Sequence, residues 1–89
     1  MRKPTPASPA PATLGEDGCW QLDLRGLAPP KPMVTILRHL EQHRADERAL
    51  VVRMDRDPVM LHPELAERGW EAQRIDGEPG EVRLRLQRI

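Results

Sequence analysis

Ten prolines are distributed so unevenly along these 89 residues that they mark out the chain before any other pattern is considered. A proline lacks a backbone N–H and has a fixed φ, so it is excluded from helix interiors and central strands. Pro4, Pro6, Pro9 and Pro11 fall within the first thirteen residues, among Ala, Ser and Thr. Such a run holds no large apolar residue after Met1 and cannot offset its ordering entropy by burial. Residues 1–15 are therefore expected to form an extended tail, and residues 16–89 a single domain. Pro29, Pro30 and Pro32 then cluster where a helix is about to begin, a position that tolerates them because first-turn N–H groups lack intrahelical partners.

Between the prolines the apolar residues keep regular periods. Cys19 to Leu24 alternates, with Trp20, Leu22 and Leu24 on one side and Cys19, Gln21 and Asp23 on the other, which predicts a half-buried strand. Met33, Ile36, Leu37 and Leu40 follow the i, i+3, i+4, i+7 spacing of an amphipathic helix that frays near Arg44 to Asp46. Ala49 to Met54 is the second predicted strand. A helix over Pro58 to Arg68 follows, with Asp57 as N-cap, a bend at Pro63 and Gly69 as its C′ residue. Trp70–Ile75 and Val82–Leu86 read as a closing hairpin around Asp76 to Gly80.

The expected architecture is α/β, more closely α+β: a β-α-β-α-β-β two-layer sandwich with a mixed four-stranded sheet and both helices on one face. The open face would carry Gln21, Asp23, Arg53, Glu71, Gln73, Arg83 and Arg85. The predicted core includes Trp20, Leu22, Ile36, Leu37, Leu40, Val52, Leu65, Val82 and Leu84.

Fourteen basic residues balance fourteen acidic ones, an even charge that argues against a general phosphate-backbone binder. The arginines at 53, 83 and 85 share their face with Asp23 and Glu71, so cross-strand ion pairs are expected there rather than a nucleic-acid platform. No stretch approaches the ~20 apolar residues of a membrane-spanning helix, and no signal-length apolar run follows Arg2 and Lys3. A soluble, cytoplasmic protein is the expectation. The single cysteine, Cys19, excludes an internal disulfide. It would lie on the order of 16 Å from the strand's loop end, unsuited to act as a nucleophile there. His39 and His43, four apart on the helix, and His62 beside Pro63 are the imidazoles a weak metal or haem binder would use. An isolated pair falls short of the three or four ligands of a zinc site, so no metal or cofactor is assigned. The methionines at 33, 54 and 60 are expected on apolar faces as packing residues.

The segment Leu22-Asp23-Leu24-Arg25-Gly26-Leu27-Ala28-Pro29-Pro30-Lys31-Pro32 resembles the signature of the TusA/SirA-like sulfur carriers, Leu-Asp-x-x-Gly-Leu-x-Cys-Pro-x-Pro. Leu22, Asp23, Gly26, Leu27, Pro30 and Pro32 match, whereas Pro29 stands at the position of the reactive cysteine. Over about residues 20–88, with Arg25, Asp55, Pro58, Leu61 and Leu65, the chain is more closely similar to a related bacterial domain-of-unknown-function family that lacks this cysteine. Its members occur alone or beside hemerythrin-like domains, often near genes of nitrogen-oxide respiration. The resemblance implies the same two-layer fold. Sulfur transfer requires a thiolate, and proline supplies none. The functional expectation is accordingly a non-enzymatic binding or regulatory module that docks a protein partner, and neither nucleic acid nor membrane. Arg25, Gly26, Pro29, Pro30, Lys31 and Pro32 would form the docking surface. The alternatives are an accessory role in sulfur transfer or nitrogen-oxide and redox metabolism, and the weak metal or haem binder. The oligomeric state is open.

Overall fold

Side chains two apart in a strand point the same way, and the register of the sheet turns that alternation into rows. In the computed structural model, which describes residues 12–89, Leu22 pairs with Val52 and Val52 with Leu84, one apolar row across three strands. The elements are β1 (Thr13–Leu14), β2 (Trp20–Asp23), α1 (Lys31–Gln42), β3 (Leu50–Met54), α2 (Leu61–Glu67), β4 (Trp70–Ile75) and β5 (Val82–Arg88). The sheet order is β1-β2-β3-β5-β4, with β2 and β3 parallel and the other pairs antiparallel. Ile36 and Leu40 of α1 join Leu61 and Leu65 of α2 in one buried cluster with Leu22, Val52 and Leu84. Both helices therefore cover the same sheet face, as the α+β two-layer reading expected.

The sheet has five strands rather than the four expected. Thr13 and Leu14 pair with Gln21 and Trp20, and Ala12 packs against the core, all within the segment expected to be tail. The first eleven residues of that segment, with all four of its prolines, lie outside the described residues.

The second helix also starts later than expected. Pro58 to Met60 form a turn closed by the Leu61 N–H donating to Pro58 O at 2.8 Å, and Met60 occupies the N-cap position. Pro63 is thus the third helical residue, where its missing N–H interrupts nothing, and no mid-helix bend is required. Asp57 does not cap the helix. Met60, expected in the core, is exposed because the turn carries it clear of the helix's apolar face.

Gly69 does follow α2 with φ +79°, the left-handed conformation favoured at C′. Of the predicted core, Trp20 and Leu37 are partly buried against the cluster and the others are fully buried.

Candidate functional site

The parallel pairing of β2 and β3 sends the two following loops out at the same end of the sheet. Crevices outside the carboxyl ends of parallel strands are recurrent ligand sites in α/β folds. Here the loops enclose a cleft of about 490 Å3. One wall is Gly26 to Pro30 with Pro32 and Met33 of α1. The opposite wall is Asp55 to Met60, and the floor is Leu24 and Met54, both buried. Val59 and Met60 are 72% and 70% exposed, the side chains a folded domain ordinarily covers.

Two backbone features hold the walls in place. Gly26 has φ +86°, and its N–H donates to Asp55 Oδ2 at 2.7 Å, tying the two loops together across 29 residues of sequence. At the start of α1, the Lys31 N–H donates to Ala28 O at 3.0 Å and the Val34 N–H to Pro30 O at 3.0 Å. The peptide bond between Pro29 and Pro30 is cis. With Pro30 and Pro32 lacking N–H groups, this helix end offers an anion little of the usual donor array.

Arg25 is turned away from the cleft. Its Nε donates to Asp23 Oδ1 at 2.9 Å and a terminal nitrogen to Asp23 Oδ2 at 2.7 Å, a two-pronged pair. Those hydrogen bonds from Arg25 hold the Asp23 carboxyl down at about 2. The sheet register extends this pairing across the open face, because Asp23 pairs with Arg53 and Arg53 with Arg83. Between the two arginines lies Glu81, whose side chain is only 3% exposed. Its Oε1 accepts from Arg53 Nε at 2.9 Å and its Oε2 from Arg83 Nε at 2.9 Å. Burial alone would raise the Glu81 pKa, but hydrogen bonds from Arg53, the Glu78 backbone and Arg83 outweigh it and lower it. Arg25 reaches Glu81, and Glu78 reaches Arg53, each at 3.6 Å, which completes the network. The open face is an ion-pair surface at this end, as the residue pattern suggested.

The structure thus divides the six residues expected to form a docking surface. Gly26, Pro29, Pro30 and Pro32 line the cleft; Arg25 belongs to the ion-pair network, and Lys31 is exposed outside the lining. The second wall, Asp55 to Met60, was missed as a site by the sequence reading. Its signal was Val59 and Met60, two apolar residues directly after the turn-forming Asp57-Pro58.

The imidazoles have other partners. His39 is buried at 7% exposure, not on a polar helix face, because Trp20 of β2 covers it. The His39 and His43 rings stack with centroids 4.2 Å apart, and the His43 Nδ1–H donates to His39 O at 3.0 Å. Burial and the neighbouring His43 lower the His39 pKa. Trp20 Nε1 donates to Asp46 Oδ2 at 3.0 Å and closes this cluster. His62 pairs instead with Asp57 at 3.1 Å across the turn before α2. Among the described residues, no three His, Cys, Asp or Glu side chains gather as a metal site. Cys19 is buried against Ala49 and Val51. No helix is long and apolar enough to cross a membrane among the described residues.

Residues 21–88, which include both walls of the cleft, match the profile of the uncharacterized conserved proteins designated DUF2249. The chain belongs to that family. No curated protein and no solved structure matches this DUF2249 domain.

Proposed function

We propose that this DUF2249 domain is a non-catalytic binding module that takes a short apolar segment of a protein partner into the cleft between its two loops. The exposure of Val59 and Met60 opposite a wall of prolines is the observation that carries the reading. A rigid apolar hollow with few polar groups suits a side-chain anchor, since preformed walls reduce the ordering that binding requires. The lining holds no Cys, Ser, Thr or His, and of its two carboxylates Asp55 accepts the Gly26 N–H and Asp57 pairs with His62, which favours a structural use of both.

The resemblance to the sulfur carriers supports a second reading. Pro29, at the position of their cysteine, lines the cleft, so a ring occupies the place from which sulfur would be presented. An accessory role in sulfur transfer or redox metabolism would use the same docking surface without carrying sulfur itself. Persulfide passed onward from the wild type through Cys19 would replace the binding-module reading with a catalytic one.

The docking reading is tested by selecting short peptides on the immobilised domain and mapping them by amide shift changes. Apolar peptides should perturb residues 26–33 and 54–60, and Val59→Asp with Met60→Asp should abolish the shifts while leaving the fold intact. Enrichment of no peptide, or shifts confined to the open sheet face, would sink it.

A further inference from the structure

We propose that a second hollow, at the other end of the sheet, binds a small phosphorylated molecule. It has a volume of about 430 Å3, within the range of small-molecule sites. Its lining is Leu40, Glu41, Arg44, Arg68, Trp70 and Arg88. The location follows from the topology: β5 runs antiparallel to β3, so Arg88 ends at the edge opposite the cleft, paired with Trp70 at the start of β4. This site is independent of the apolar cleft and of the reading based on it.

Charge is the distinguishing observation. The chain is neutral overall, yet three guanidinium groups and one carboxylate line this hollow. On the open sheet face, by contrast, Arg25, Arg53 and Arg83 are matched by Asp23, Glu78 and Glu81. Glu64, outside the lining, reaches Arg68 at 2.9 Å, which still leaves the positive groups in excess.

The alternative use of these arginines is to answer the carbonyl ends of α1 and α2, which both terminate here and carry negative potential. Arg88 does donate to Arg44 O, and Arg68 Nη1 to Glu64 O at 2.9 Å. Each contact engages one nitrogen of a group with five N–H donors. What those contacts accomplish is orientation. The Arg88 guanidinium also lies 5.2 Å from the centroid of the Trp70 ring, and Arg68 is braced by Glu64 four residues before it. Two planar forks are thus held in place around a concave space, with Arg44 just beyond the end of α1 as a third, adjustable one. Guanidinium forks match phosphate oxygens in two-pronged hydrogen bonds, which ammonium groups do not. Leu40 and Trp70 add apolar lining, which favours an organic phosphate over a bare ion.

The test is a titration of the isotope-labelled full chain with inorganic pyrophosphate and, separately, phenyl phosphate, at physiological ionic strength. Both should give saturable shifts at the arginine side-chain signals of 44, 68 and 88 and at the Trp70 indole. Arg44→Gln, outside regular structure and therefore compatible with folding, should weaken binding about tenfold, the effect of one lost charge-assisted hydrogen bond. Absence of saturation, shifts centred on Arg53 and Arg83, or unchanged affinity in Arg44→Gln would overturn the proposal. So would binding of a single-stranded oligonucleotide with no response to either small phosphate, which would make the hollow part of a nucleic-acid surface.

Discussion

The end of the sheet where β2 and β3 finish presents two surfaces built on opposite principles. On the open face, the row Asp23, Arg53 and Arg83 closes around Glu81, and each charge finds its partner within the domain. On the helix side, Val59 and Met60 stand beside the Pro29–Pro32 wall with their apolar surface in water. The first surface is self-satisfied, and a partner would have to replace its internal contacts at a desolvation cost. The second gains by being covered. A shared location therefore does not mean a shared role, and counting charges near Arg25 directs attention to the wrong face.

Four measurements would break or sharpen that contrast. The largest effect belongs to the floor beneath the cleft: Leu24 is 1% exposed, and Leu24→Ala should cost ~2–5 kcal/mol in denaturant unfolding as a cavity-forming change. A cost near that of a surface substitution would show that the cleft has no rigid base.

A smaller loss should follow Glu81→Gln, which leaves Arg53 and Arg83 facing a neutral amide. Its effect should be pH-dependent in a defined direction. Asp23 and Glu81 titrate lower in the folded than in the unfolded chain, so their contribution is complete above the unfolded carboxylate range. It is lost as pH falls, for Asp23 from about 4 towards 2. Melting temperature followed through that window should fall less steeply in Glu81→Gln than in the wild type. Parallel curves would mean that the network is not stabilising.

Gly26→Ala comes next. Space is open around that position, so the cost arises from the left-handed backbone alone and should be roughly 1–2 kcal/mol. A larger value would indicate that the Asp55 bond to the Gly26 N–H was lost as well.

The smallest effect is expected at the rim. Val59→Ala and Met60→Ala should each change stability by no more than ~0.5 kcal/mol, because most of the surface of both side chains is already in water. A substantial destabilisation would place them in the core and erase the contrast between the two surfaces.

The parts of this arrangement readable from sequence are those set by local period. The apolar stripe of α1 and the alternation of β2, β3 and β5 require only near neighbours, and Pro30 to Pro32 mark the helix start with little ambiguity. The misread parts depend on residues distant in sequence. His39 looks like a polar-face histidine until Trp20, nineteen positions earlier, is laid across it by the sheet. The start of α2 was misjudged because Asp57-Pro58 suits either a helix cap or a turn, and the Leu61 hydrogen bond to Pro58 decides for the turn. That choice moves Met60 from an expected packing position to the rim, with Val59 exposed beside it, and it is why only one wall of the cleft was anticipated. Arg25 is legible as a motif residue, but its commitment to Asp23 appears only in the folded structure.

The shortest element has a consequence beyond its size. β1 contributes two exposed residues, yet it lies along the outer side of β2, which would otherwise present a bare row of amides and carbonyls to neighbouring molecules. Such rows invite another chain to add a strand. Thr13 and Leu14 cover Gln21 and Trp20 on that side, so their backbone groups occupy positions that a strand of another chain would need. Substituting Thr13 by proline should show up as concentration-dependent assembly before any change in the thermal unfolding of the monomer.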